Sequence, residues 1–285
     1  MMDFNMFQKV VKDNILHSLP AEYKEASVSV HAVPKVNRTL HALTVMLPDH
    51  NKAPNIYLEE MYEHYQQNED IQTTLAEVAD AVVEATKEMS KVNPVLDADK
   101  IQDNVVLCLV NSTQNEELLK DVPNRSFQDL SVIYRWVVCV DRDGMQSMII
   151  TNDFAAARGF TEEELFQHAV ENTKRICPPR VKSMQEVMAD LAVEDGMPQE
   201  ILESMGVFDE IPPEKNLWVI TNEMGINGAA SMLYEENLHK LAEQIGTDLY
   251  LLPSSIHETI AVSVEMGAPE YLAQMVHDVN MTAVT

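Results

Sequence analysis

A short polar run near the end of the chain combines the residue types of a hydrolytic site. It lies between two apolar, strand-like segments and consists of Pro253, Ser254, Ser255, Ile256, His257 and Glu258. A serine hydroxyl activated by a histidine, with a carboxylate nearby, is an arrangement used in nucleophilic catalysis. In an extended chain, however, Ser255 and His257 share one face while Glu258 points to the other. The run therefore predicts scaffold hydrogen bonding, a binding site, or a nucleophile that needs a third group from elsewhere.

A second candidate site precedes this run in the chain. Asn222 and Glu223 follow an apolar segment and are succeeded by Gly225 and Gly228. Because glycines let a backbone approach a ligand closely, these two polar residues, together with Ser254, are candidates for a binding site. The same glycines are also typical of a hairpin turn, which is the simpler interpretation.

The common motifs of cofactor, metal and nucleophile sites are missing from the sequence. It contains no GxGxxG, P-loop lysine, HExxH, CxxC or GxSxG motif, and its nine histidines show no metal-ligand spacing. The sequence therefore predicts neither a metal nor a cofactor. Cys108, Cys139 and Cys177 are far apart, and two of them lie in apolar runs, as is typical of reduced thiols inside a cell.

The elements that position these residues alternate between strands and helices. Helical spacing predicts helices over residues 4–19, 54–67, 71–91, 161–172 and 236–244, another after Pro269, and two short ones within 181–206. Apolar runs predict strands over 28–30, 43–47, 105–110, 132–140, 145–150, 217–221, 249–252 and 259–264, with a hairpin at 141–144. This order favours an α+β fold, with antiparallel or mixed sheets and helices packed on them.

Residues 178–213 are rich in charge and proline, so they predict a boundary. The expected organisation is an N-terminal α+β region over 1–177, a helical connector over 178–213 and a C-terminal α+β region over 214–285. The two α+β regions are expected to pack as one unit.

The chain is strongly acidic, with a formal net charge of −26. Residues 183–285 contain 18 acidic residues and two basic ones, Lys215 and Lys240. Phosphate backbones and anionic membrane surfaces are attracted by cations, so this region disfavours direct nucleic-acid binding and membrane association. The N-terminal segment has no continuous apolar core of the kind found in a secretion signal, and the sequence predicts a cytoplasmic protein.

The sequence also resembles a bacterial family known as domain of unknown function 5688. The matching segments, spread over nearly the whole chain, are 55–62, 118–123, 129–130, 164–173, 221–222, 228–230, 233–234 and 251–258. The last segment is the most specific of them. The resemblance implies a bacterial or phage-like intracellular protein and carries no mechanism.

These observations leave three functional hypotheses. The first is a non-enzymatic interaction or regulatory protein, which uses its acidic surface or a methionine-rich patch against a protein partner or a second copy of itself. The second is a hydrolase-like enzyme with a site around Ser255, His257 and Glu258, supported by Asn222 and Glu223. The third is an acidic inhibitor that imitates nucleic acid. A His257 ring that lines a cleft within hydrogen-bond reach of a hydroxyl or carboxylate would favour the enzyme. A buried, fully bonded ring, with a large acidic or apolar patch elsewhere, would favour an interaction protein.

Overall fold

The computed structural model describes residues 2–48, 50, 53–91, 101–141, 144–194, 196–197 and 211–283. Within these residues the α+β class is confirmed, and every strand pairing is antiparallel. Contacts divide the chain into two compact units, residues 1–96 with 114–118 and residues 97–113 with 119–285. The predicted connector at 178–213 stays a prediction, and its described part contributes one strand and one helix to the second unit. None of the helices in the described residues is both long and apolar enough to cross a membrane.

The first unit contains a three-stranded sheet with the order β1–β2–β3 and three long helices. In chain order its elements are α1 (Phe4–Ser18), β1 (Ser27–Lys35), β2 (Arg38–Met46), β3 (Asn55–Tyr57), α2 (Leu58–Asn68) and α3 (Ile71–Lys91). Phe7, Val11 and Ile15 are fully buried at helical spacing, so α1 contributes a continuous stripe to the core. Asp3 caps this helix by accepting the Met6 N–H at 2.8 Å.

One predicted boundary in this unit is wrong. The helix expected from Pro54 begins at Leu58, because Asn55–Tyr57 first pairs with β2 as a strand. Ile56 lies opposite Leu43 in that pairing and is buried. Contacts with the sheet therefore override the local helical pattern of these three residues.

The second unit begins with a sheet built around one long strand. Elements between 101 and 176 are α4 (Ile101–Asn104), β4 (Val105–Asn111), α5 (Glu116–Asp121), β5 (Asn124–Phe127), β6 (Leu130–Asp141), β7 (Gly144–Ile149), α6 (Asn152–Arg158) and α7 (Glu162–Ile176). Of these, residues 116–118 of α5 are assigned to the first unit. Strand β4 lies on one side of β6, while β5 and β7 pair with successive parts of its other side. The predicted β6–β7 hairpin is present, and its turn residues Arg142 and Asp143 lie outside the described residues.

Helix α7 is fixed to this sheet at its N-terminus. The predicted capping box of Thr161 and Glu164 is confirmed in both directions. Glu162 accepts two hydrogen bonds from Arg125, at 3.1 and 2.9 Å, and a third from the Tyr134 hydroxyl. Burial raises the pKa of Tyr134, so the phenol stays protonated and acts as a donor. Because Arg125 also pairs with Glu163, this end of the helix is held by a charged network.

A second sheet holds both sequence-predicted sites. Its elements are β8 (Pro179–Ser183), α8 (Met184–Glu194), β9 (Trp218–Asn222), a 3-10 helix (Gly228–Leu233), α9 (Glu235–Ile245), β10 (Leu249–Pro253), β11 (Thr259–Ser263) and α10 (Pro269–Ala283). The strand order is β10–β11–β9–β8. On one face, Trp218 and Ala261 pack with Leu241 of α9. On the other, Val262 packs with Leu272 of α10, so a helix covers each face.

Two predictions for this region need correction. Residues 181–183, where the first of two short helices was expected to begin, instead end strand β8, in which Val181 pairs with Ile220 of β9. A single helix, α8, follows, and most of the second predicted helix lies outside the described residues.

The glycine-bearing segment 225–228 does not close a hairpin. It leads from β9 into the 3-10 helix, while β9 pairs with β8 and β11.

Candidate functional site

The Ser255 loop, residues 254–258, connects β10 to β11 and is held by bonds to its own backbone. The Ser255 N–H donates to the Glu258 carbonyl at 3.3 Å. Ser254 Oγ donates to the same carbonyl at 3.1 Å and reaches the Glu258 carboxylate at 3.4 Å. The Ser255 hydroxyl accepts the His257 N–H at 3.0 Å. The loop is therefore a bent turn, and the alternation of faces expected for an extended chain does not apply to it.

The His257 side chain is exposed, so the buried ring expected of an interaction protein is not what the structure has, and the ring is oriented by the backbone. Its Nδ1 accepts the N–H of Asn227 at 3.2 Å, so the neutral ring carries its proton on Nε2. Among the hydrogen bonds of the described residues, none joins this ring to the Ser255 hydroxyl or to the Glu258 carboxylate. The loop thus brings the three candidate catalytic residues close together in the chain without linking them as nucleophile, base and orienting group.

The Asn222 and Glu223 candidates lie where β9 approaches the Ser255 loop. The Asn222 side chain is buried, donates to the Ile226 carbonyl at 2.8 Å and accepts the Met224 N–H at 3.0 Å. Glu223 is exposed, and its N–H donates to the Pro178 carbonyl at 3.0 Å. Both bonds of the Asn222 side-chain amide therefore stabilise the turn after β9.

Gly228 brings two backbone segments into close contact. A Cβ atom at this position would lie 2.4 Å from the His257 carbonyl oxygen, 2.2 Å from Thr221 Oγ1 and 2.8 Å from the Asn222 nitrogen. Thr221 Oγ1 itself donates to the same His257 carbonyl at 2.8 Å. The close approach that the glycine permits is thus between parts of this chain, which the hairpin interpretation did not foresee.

Asn227 lies beneath the loop and connects it to the first sheet of the second unit. It adopts a left-handed backbone conformation, with φ of 53°, and is buried. Its side-chain oxygen accepts the Cys108 thiol of β4 at 3.6 Å. Burial raises the pKa of Cys108 to about 11, so this thiol is an inert part of the interior.

A different feature of the same sheet presents its polar groups to solvent. A groove of about 490 Å³ runs between α9 and β10 and is here called the edge groove. Four apolar side chains line it, Leu238, Ala242, Leu249 and Leu251. Its other lining residues are Glu235, Glu236, His239 and Asp248, all of which are exposed. The edge groove therefore combines an apolar floor with a negatively charged rim.

The rim charges differ in their existing partners. Glu236 pairs with Lys174 of α7 at 3.1 Å, and His239 lies 3.3 Å from Glu243 along its own helix. Neither Glu235 nor Asp248 takes part in any ion pair among the described residues. These two carboxylates are the rim charges available to a cationic ligand.

The sequence carried only a partial signal for the edge groove. Glu235 and Glu236 sit in the first turn of α9, where acidic residues favour a helix start, so their type has a local explanation. Leu249 and Leu251 alternate with Tyr250 and Leu252, as expected for a strand covered on both faces. That β10 would be an edge strand is decided by the sheet order, which the sequence pattern does not show.

No group of three or more histidine, cysteine or acidic side chains arranged to hold a metal ion occurs among the described residues. Neither the edge groove nor the Ser255 loop therefore offers the clustered ligands of a structural metal site in that part of the chain.

Fold and site together define an acidic α+β protein with a charged groove at the edge of an antiparallel sheet. The chain belongs to the family of unknown function DUF5688, whose model matches residues 4–285. The family expected from the sequence resemblance is thereby confirmed. Comparison with curated proteins gives no match, and neither does comparison with solved structures.

Proposed function

We propose that this chain is a non-enzymatic interaction protein that binds a basic segment of another protein in the edge groove. The observation that carries the proposal is the apolar floor between α9 and β10 with Glu235 and Asp248 at its rim. Lysine and arginine side chains lay their aliphatic stems on apolar surface while their charged ends remain near water and carboxylates. The groove offers both kinds of surface, an apolar floor and rim carboxylates.

The overall charge supports the same choice of partner. A net charge of −26 attracts basic partners over several ångströms and speeds their encounter, particularly at low salt. It also repels a second acidic copy and any nucleic-acid backbone. The proposal therefore favours a basic protein partner over a homo-oligomer, and it includes a bacterial cytoplasmic location, in agreement with the buried thiols of Cys108 and Cys177.

The binding proposal is tested with a labelled peptide of nine alternating lysine and valine residues and with the matching glutamate–valine peptide. Fluorescence anisotropy is expected to show binding of the first peptide and none of the second. Neutralising Glu235→Gln together with Asp248→Asn is expected to weaken binding about fivefold, since each exposed ion pair contributes modestly.

A matched control separates the edge groove from the diffuse charge of the protein. Glu223→Gln with Glu270→Gln removes the same number of exposed carboxylates in the second unit, from positions that do not line the groove. This variant is expected to bind within about twofold of the parent chain. Equal weakening by both variants would contradict the groove and favour a diffuse acidic surface, as an inhibitor that imitates nucleic acid requires.

The hydrolase hypothesis makes a separate prediction. A nucleophilic Ser255 needs a base within hydrogen-bond reach, whereas the His257 ring bonds to the Asn227 backbone. A fluorophosphonate probe, which labels activated serines, is therefore expected to label the parent chain no more than Ser255→Ala. Labelling that disappears in both Ser255→Ala and His257→Ala would overturn the non-enzymatic proposal.

A further inference from the structure

Strand β10 is an open edge of its sheet in the described part of the chain. It pairs with β11 on one side, and no described strand pairs with its other side. An exposed sheet edge presents unpaired N–H and C=O groups, which another chain can use by adding a strand. The edge groove is lined by Leu249 and Leu251 of this same strand, so its apolar floor belongs to a strand with one side unpaired among the described residues.

The register determines which residues offer those groups. The Val264 N–H donates to the Asp248 carbonyl at 3.1 Å, and the next pairs along the ladder include Tyr250 with Val262. Hydrogen-bonded pairs alternate in an antiparallel ladder, so the groups of residues 250 and 252 face β11. Those of Leu249 and Leu251 consequently face the open edge. They provide two donors and two acceptors.

The same two residues also contribute side chains to the edge groove. Leu249 and Leu251 pack on the α9 face of the sheet with Leu238. In an antiparallel pairing, residues directly opposite each other have side chains on the same face. A residue that bonds to the backbone of Leu249 or Leu251 therefore projects its own side chain towards α9 and the acidic rim.

Charge decides what kind of strand can occupy this position. A second copy paired through the same edge would bring Glu235 and Asp248 of one molecule against those of the other, because a two-fold interface repeats the same patch. Like charges in such a contact cost affinity. A segment with lysine or arginine at alternate positions instead places its stems on the apolar floor and its cations at the rim.

The usable edge is short and has defined ends. Pro253 has no N–H to donate, and Gly246 ends α9 in a left-handed conformation just before the strand. The contact therefore spans residues 249–252, about 13 Å at the rise of an extended chain. A bound segment needs about four residues in register.

From these observations we infer that the partner binds by strand addition, as an extended segment antiparallel to β10 with basic side chains at alternate positions facing α9. The inference rests on the proposed function for its site and adds the binding mode, the register and the side-chain pattern of the partner.

Backbone methylation of the probe tests the binding mode. One version of the lysine–valine peptide carries N-methyl groups on its lysines, and a second carries them on its valines. Antiparallel addition predicts that methylated lysines lose their bonds to Leu249 and Leu251 and that affinity falls about thirtyfold. The valine-methylated peptide is expected to bind within about threefold of the parent, because its methyl groups face away from β10.

Hydrogen exchange of the protein provides the second measurement. The amides of Leu249 and Leu251 are expected to exchange quickly in the free chain and to slow at least tenfold when the peptide is bound, while that of Tyr250 changes little. Loss of affinity confined to the valine-methylated peptide would overturn the antiparallel register. Equal affinity of all three peptides, with unchanged exchange, would overturn strand addition.

The two levels of the proposal fail in different ways. Absence of binding by the unmethylated peptide would overturn the proposed function itself. Binding that depends on Glu235 and Asp248 but not on methylation would support the basic partner and overturn only strand addition. A block peptide of the same composition, with its lysines before its valines, completes the comparison and is expected to bind at least tenfold more weakly than the alternating one.

Discussion

The Ser255 loop and the edge groove both adjoin one strand, β10, yet they use their polar groups differently. In the loop, the hydroxyls of Ser254 and Ser255 and the ring of His257 all bond to the chain's own backbone. In the groove, Glu235 and Asp248 face solvent above an apolar floor. The difference teaches that residue types associated with catalysis do not make a site when their hydrogen bonds go to the backbone instead of linking the side chains to one another. Polar groups that face solvent beside an apolar surface are the better indicator of a binding site.

The largest expected difference concerns the packing beneath the loop. Gly228→Ala places a methyl group against the His257 carbonyl and Asn222 nitrogen, both backbone atoms that cannot move aside cheaply. We expect a loss of about 3 kcal/mol or more in the free energy of unfolding, measured by urea denaturation.

Gly246→Ala is the matched control for this substitution. Gly246 has φ of 81° and no heavy atom within 4 Å of an added Cβ, so it tests backbone conformation without a clash. A cost of about 1 kcal/mol is expected. Equal losses in the free energy of unfolding at the two positions would show that the loop and β9 can separate. That result would contradict a scaffold role for the loop.

Neutralising carboxylates should distinguish a structural pair from the groove rim. Glu162→Gln weakens bonds to Arg125 and Tyr134, and we expect it to cost about 2 kcal/mol because charged hydrogen bonds are the stronger kind. Glu235→Gln with Asp248→Asn is expected to change the free energy of unfolding by less than about 0.5 kcal/mol. A large loss in the groove variant would mean that those carboxylates support the fold.

Removing the His257 ring should have a smaller effect than disturbing Gly228. His257→Ala leaves the Asn227 N–H without its acceptor, and we expect a loss of about 1 kcal/mol by urea denaturation. His239→Ala, at an exposed ring on α9, is the control and is expected to cost less than about 0.5 kcal/mol. An unchanged stability in His257→Ala, combined with loss of any hydrolytic activity, would reverse the interpretation of the loop.

Thiol reactivity gives the smallest perturbation, since it needs no substitution. Burial raises the pKa of both Cys108 and Cys177 to about 11, so at pH 8 about one thiol in a thousand is ionised. A disulfide reagent is expected to modify the exposed Cys139 rapidly and the other two only after unfolding in urea. Rapid modification of Cys108 in the native chain would show that the region under Asn227 opens readily.

Much of the fold follows from short-range patterns in the sequence. The stripe of Phe7, Val11 and Ile15, the capping box at Thr161 and the continuous apolar run of β4 each determine a local element through side-chain spacing or capping chemistry. The net charge of −26 is likewise fixed by the composition, whatever the fold that carries it. These properties need only near neighbours or the sum of charges, so the sequence by itself determined them.

The site depended on contacts between distant segments. Pairing of Val181 with Ile220 made a strand from residues expected to be helical, and the contact of Gly228 with the His257 carbonyl joined segments 29 residues apart. The order β10–β11–β9–β8 left β10 at an edge and placed α9 beside it. Strand order and close backbone approach are set by packing of the whole unit, because each pairing must satisfy main-chain hydrogen bonds that no local pattern specifies. The tertiary structure alone therefore decided that Ser254, Ser255 and His257 stabilise a loop. It also decided that the carboxylates of Glu235, in a helix, and Asp248, in a turn, border a groove.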